Sequence, residues 1–127
     1  MGSTSKQVTI EFLQEFADAW TEHDIDLLMS FMSDNPIFQL SSGPNIDGMK
    51  YSGLENVKQG FQAVLDKFPD GKWIEDSHFV AGDRGVSEWT FTATDNEGIE
   101  SKVRGCDIFT FEEGKISVKN SFRKIII

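Results

Sequence analysis

Apolar residues along this chain recur first at helical spacing and then at strand spacing. In Thr9–Trp20, TIEFLQEFADAW, the residues Ile10, Leu13, Ala17 and Trp20 fall three or four apart. Phe12, Phe16 and Ala19 widen the stripe, which predicts an amphipathic helix. The next stretch, HDIDLLMSFMSD, predicts a second, short helix with Asp24 as its N-cap and Pro36 enforcing its stop. Pro36–Leu40 reads as a short strand that runs into the turn-rich loop SSGPNIDG. Ser52-Gly53-Leu54-Glu55 has the form of a capping box opening a third helix, with Val57, Phe61, Val64, Leu65 and Phe68 as its buried stripe and Pro69-Asp70-Gly71 as its end.

From Lys72 onward the period changes to two. KWIEDSHFVA, GVSEWTFTAT, IESKVRGCDIFTF and KISVKNSFRKIII read as four strands, joined by the short glycine-containing connections GDRG, DNEG and EEG that antiparallel hairpins require. Helices followed by an antiparallel meander make the fold class α+β, in a single domain spanning residues 1–127. The expected architecture is a cone: a curved antiparallel sheet wrapped around the N-terminal helices, with a central pocket between them.

Composition narrows the function. The 127 residues are 39% hydrophobic with eleven Phe and three Trp, enough for a core and a lined cavity. Twelve basic residues against twenty-one acidic ones give a net charge of −9, which argues against nucleic acid or an anionic membrane as partner, because phosphate binding needs clustered Lys and Arg. The single cysteine, Cys106, cannot form an internal disulfide and reads as a small packed strand residue. Neither a signal-peptide run nor a membrane span is visible, so the expectation is a soluble, cytoplasmic protein. Gly2 with Ser5 has the outline of a myristoylation signal, although the same start is common in expression remnants.

One residue resists the bland reading. Along Val103–Phe111, one strand face carries Val103, Gly105, Asp107, Phe109 and Phe111, and the other carries Arg104, Cys106, Ile108 and Thr110. Asp107 thus lies in the middle of the more apolar face. A buried acid is costly unless it is paired, hydrogen-bonded or kept protonated. Three readings are open: a solvated strand residue, a structural partner of Arg123 or Arg104, or a pocket acid.

The order of elements, with FADAWTEHDIDLLMSFMSD, YSGLENVKQGF and RGCDIFTFEEGKISVKNSF, resembles the nuclear transport factor 2-like superfamily and its branch of SnoaL-like polyketide cyclases and ketosteroid isomerases. The resemblance covers roughly Val8 to Lys124 and implies the cone fold. In the ketosteroid isomerases the position matching Asp107 donates a hydrogen bond to a developing oxyanion. The Tyr of that oxyanion pair aligns here with Phe16 and the carboxylate base near Leu40, so the resemblance does not imply steroid isomerisation. The limonene-epoxide hydrolases place a carboxylate where this chain has Ser121, and only Glu88 lies near their other Asp, which disfavours epoxide hydrolysis. The SnoaL-like cyclases need a single pocket carboxylate as acid/base, which Asp107 supplies.

The remaining candidates follow from these faces. Phe16, Trp20, Phe38, Leu40, Trp89, Phe91, Phe109, Ser121 and Arg123 are the expected pocket residues, with Trp89 the foremost wall and core filling the alternative use of the aromatics. Arg123, if it points inward, either pairs with Asp107 or accepts a carboxylate or phenolate ligand; pointing outward, it is a snorkelling surface residue. His78 reads as a satisfied or exposed strand histidine, His23 as surface, and the loop Ser41–Tyr51 as a flap or a plain connector. No His/Cys spacing suggests a metal and no glycine-rich turn suggests a dinucleotide, so no metal and no cofactor is expected. Two functions fit. The first is a cofactor-independent isomerase or cyclase acting on a hydrophobic carbonyl compound through Asp107; the second is a non-catalytic ligand-binding or protein-interaction module. Both imply a homodimer paired through the face of Arg104, Cys106, Ile108 and Thr110.

Overall fold

The computed structural model describes residues 7–127, so the Gly2 and Ser5 reading lies outside it. Thr9 caps the first helix, α1 (Ile10–Glu22), by accepting from the Phe12 amide at 3.1 Å. Leu13, Phe16, Ala17, Ala19 and Trp20 are its buried face, whereas Ile10, at the first helical position, stays half exposed. Asp24 caps α2 (Ile25–Ser30) as expected, accepting from the Leu27 amide. The chain then turns directly into β1 (Met32–Gln39), so Pro36 does not stop a helix. It lies inside the strand, where the pairing of β1 with its neighbour is interrupted between Met32 and Ile37, a place that tolerates a residue without an N–H.

A strand that the sequence did not announce, β2 (Lys50–Ser52), pairs antiparallel with β1 and places Ser52 opposite Ile37. α3 (Leu54–Lys67) begins one residue too late for Ser52 to cap it. The N-cap is Gly53 at φ 90°, with no side-chain bond, and the expected capping box does not form. Val57, Phe61 and Leu65 are the buried stripe of α3, with Val64 and Phe68 packed partly against the core.

The meander follows as β3 (Lys72–Ala81), β4 (Arg84–Thr94), β5 (Glu100–Glu112) and β6 (Lys115–Arg123). The six strands form one unclosed sheet in the order β2-β1-β6-β5-β4-β3, antiparallel throughout except that β1 runs parallel to β6. Two bulges bend it: Glu75 and Asp76 in β3 against β4, and Ser117 in β6 against β5. α1 lies over β3 and α3 over β1, so both helices cover the same, concave face. Between helices and sheet the aromatics interlock, with Trp20–Phe61 and Phe38–Phe61 centroids 4.8 Å apart and Phe16–Phe109 5.9 Å apart. Most of the aromatic residues fill the core.

Candidate functional site

Direct pairing across the sheet sets the site. Asp107 on β5 stands opposite Ser87 on β4 and Ser121 on β6, so the three share the concave face. One step along, Phe109 stands opposite Lys119, and Lys119 opposite Phe38 on β1. Lys119 faces inward because of the Ser117 bulge: Val118 pairs with Thr110 and Ile116 with Phe111, so Ile116 and Lys119 reach the same face although three residues apart.

Asp107 is buried, and its carboxylate accepts from three donors. Trp89 Nε1 reaches one oxygen at 2.9 Å; Lys119 Nζ at 3.0 Å and the Ser121 hydroxyl at 2.5 Å reach the other. Lys119 Nζ also donates to Ser121 Oγ at 2.9 Å, which closes a triangle. Its ammonium lies 5.0 Å from the ring centre of Trp20 and 4.9 Å from that of Phe38, a cation held between aromatic faces. Burial pushes the Lys119 amine below the usual lysine range. The charge and hydrogen bond of Asp107 oppose that shift, and the nearby Arg123 adds to it.

Gly105 now has a reason. A Cβ there would come within 2.5 Å of the Trp89 ring and of the Phe122 carbonyl oxygen. The indole lies across the glycine, and from that position its N–H reaches Asp107. The glycine makes room for the tryptophan that holds the carboxylate.

Of the residues expected to form a pocket, Trp20, Phe38, Leu40, Trp89, Ser121 and Arg123 line one inner cavity, together with Ser41, Val64, Trp73 and Lys119. Its volume is about 20 Å³, room for about one water molecule. Phe16, Phe91 and Phe109 are buried in the core beside it. Asp107 is one layer behind the wall, in contact with three of the residues that form it. Of the three readings of Asp107, a structural partner was one, with Arg123 or Arg104 in that role; its ion pair is with Lys119. Arg104 donates to Thr90 Oγ1 and the Glu75 carbonyl on the outer face, and Arg123 lays its guanidinium 4.3 Å from the centre of the Phe91 ring. Lys119 was missed by sequence reasoning, yet a signal existed: at period two it shares a face with Ser121 and Arg123.

His78 is satisfied. Its ring nitrogens meet Ser87 Oγ at 2.7 Å and Gln14 Oε1 at 3.0 Å, which ties β3 to β4 and α1. His23 is half-buried rather than on the surface: it ends α1 in the left-handed conformation at φ 58° and its ring meets the Gly71 carbonyl at 2.8 Å. Among the described residues no three His, Cys, Asp or Glu side chains converge as a metal site would require, and no helix is long and apolar enough to cross a membrane.

Known proteins share this framework. A protein of unknown function with a cystatin-like fold from Xanthomonas campestris superposes with a TM-score of 0.80 at 19% identity, over 94% of this chain and 92% of that one. A proposed polyketide cyclase from Xanthomonas campestris pv. campestris gives 0.76 at 16% identity, over 87% and 85%. A nuclear transport factor 2-like protein of unknown function from Mesorhizobium loti gives 0.73 at 23% identity, over 91% and 89%. No curated protein matches the sequence. Residues 13–118 match the SnoaL-like domain family. With helices and curved sheet arranged around an inner cavity as described, the chain belongs to the SnoaL-like domain family, on the nuclear transport factor 2-like fold.

Proposed function

We propose that this protein takes a small hydrophobic carbonyl compound and catalyses a cofactor-independent proton transfer of the isomerase or cyclase type. The observation that carries the reading is the Asp107–Lys119–Ser121 triangle, a hydrogen-bonded charge pair on the wall of an otherwise aromatic interior. Lys119 Nζ, at the cavity wall, donates to the carbonyl oxygen and stabilises the negative charge that develops there. Ser121 Oγ takes the proton leaving the α-carbon while its own passes to Asp107, and reversal of the relay returns a proton to the same or another carbon. Asp107 is the acid/base at the end of that relay.

The test is α-proton exchange in deuterated water, followed by NMR on a panel of hydrophobic ketones and 1,3-dicarbonyls. Wild type is expected to accelerate exchange, and Asp107→Asn and Lys119→Met to lose the acceleration while remaining folded by circular dichroism. Exchange that persists in both variants overturns the reading. A second reading has its own support: Asp107 already accepts three hydrogen bonds and does not line the cavity. On that basis the protein is a non-catalytic binding module, for which tight binding without exchange is the expected result. Either function is proposed for a homodimer paired through the part of the outer sheet face around Ile108, Thr110 and Phe79, where Ile108 and Thr110 are half-buried and Phe79 is 56% exposed, with Arg104 and Cys106 at its edge. A monomer by light scattering at micromolar concentration overturns the pairing.

A further inference from the structure

The inner cavity is not the largest concavity of the molecule. A hollow of about 490 Å³ opens on the other side of Arg123 and Ser41, two residues that line both spaces. Its remaining lining residues include Arg104, Lys124, Phe122 and Glu88. In a chain of net charge −9, this hollow gathers three cations against one carboxylate. Among the described residues none of the three cations forms a salt bridge. Arg123 is the most exacting of them. Burial disfavours its charged form, opposed only by the more distant Asp107, and its Nε–H is buried with no acceptor. A second N–H without an acceptor, Trp20 Nε1, belongs to a residue of the inner cavity wall that is 4% exposed. Buried donors without partners are rare in native proteins, and each costs free energy that a ligand acceptor restores.

We infer that the carbonyl compound of this site is an organic acid, with a carboxylate or an acidic enol or phenol held at Arg123 between the outer hollow and the inner cavity. This rests on the function proposed above and names its substrate class. Arg104 and Lys124 add favourable charge around the anion, and the Arg123 Nε–H is the donor it satisfies. Arg123 lines both spaces, so the residue at their boundary is also the anchor of what binds there. The body of the ligand lies in the hollow against Phe122, with its carbonyl end directed at the inner cavity, whose wall includes Lys119.

Three probes of the same size test the charge alone: 2-naphthoate, 2-naphthamide and 2-acetonaphthone, titrated by tryptophan fluorescence against wild type, Arg123→Gln and Lys124→Gln. Wild type is expected to bind the naphthoate about tenfold more tightly than either neutral probe, with the preference weakening as salt is raised. Arg123→Gln is expected to erase the preference while retaining the neutral probes. Lys124→Gln, exposed and outside the core, is expected to lower it about two- to threefold. If naphthoate binds no better than acetonaphthone, the acid is overturned while the carbonyl reading stands. If none of the three binds, both fall. Equal weakening of all three probes in Arg123→Gln, with no change in Lys124→Gln, makes Arg123 a structural residue and overturns its role as anchor.

Discussion

Two polar clusters occupy one row of the concave sheet face, His78 and Ser87 at one end and Asp107 and Ser121 at the other. Their surroundings differ. His78 is closed off by Ser87, by Gln14 of α1 and, at 3.6 Å, by Asp76, while Gln14 also donates to Asp76. All members are polar, and His78 is not part of the cavity wall. Asp107 and Lys119 are a full charge pair enclosed by Trp20, Phe38 and Trp89, with the lysine at the cavity. The first cluster fastens a helix to a sheet. The second keeps charge in an aromatic interior, an arrangement that rarely adds stability over an apolar equivalent and is therefore more readily explained by use.

The largest effect should come from splitting the charge pair. Lys119→Met leaves a buried carboxylate without its cation and is expected to cost about 3–5 kcal/mol in urea unfolding. The double variant Asp107→Leu/Lys119→Met is expected to recover most of that loss, because two charges leave together. A double variant as unstable as the single one would mean that the pair is structural and the contrast with His78 fails. The pH dependence sharpens the point. With the folded-state value of Lys119 lowered below the ordinary 10.5, the unfolded chain binds more protons in the interval between the two values. Stability from this group therefore rises as pH climbs through that interval, and the rise is expected to vanish in Lys119→Met.

Gly105→Ala comes next. The new methyl meets the Trp89 ring, so a loss of about 1–3 kcal/mol is expected. Indole displacement should appear as a changed tryptophan emission. His78→Gln is expected to cost about 1–2 kcal/mol, because Ser87 and Gln14 lose a partner. Burial also lowers the His78 value from 6.5, against the opposing charges of Asp76 and Asp18. The unfolded chain then binds more protons just below pH 6.5, so wild-type stability falls as pH drops through the interval down to the folded-state value. His78→Gln should lack that part of the fall, with the Asp107 region unaffected. The smallest effect belongs to Thr9→Ala, remote from both clusters, at about 1 kcal/mol from the lost cap of α1.

Legibility in the sequence followed the range of the interactions. Alternation over KWIEDSHFVA predicts a strand at Lys72–Ala81, and β3 spans those residues, because alternation and flanking turns are local. The Asp24 cap was legible for the same reason. Ser52 misled because it ends a strand paired with β1 and the helix starts after Gly53, and nothing in Ser-Gly-Leu-Glu announces that strand. The inward face of β5, with Asp107, and the aromatic walls at Trp20, Phe38 and Trp89 were also visible from spacing. Lys119 shares the period-two face of Ser121 and Arg123, yet a lysine reads as surface until the tertiary structure seats it beside a carboxylate.

By itself, then, the sequence determined the α+β class, the helices, the meander and a carboxylate on an apolar face, since each follows from side-chain period and turn chemistry within a few residues. Tertiary structure alone decided that Gly105 serves Trp89, that Lys119 rather than Arg123 neutralises Asp107, and that the inner cavity is small beside the hollow outside it. Those outcomes depend on register, on bulges and on which rings interlock across strands far apart in the chain, and they are fixed only when the sheet closes around its helices.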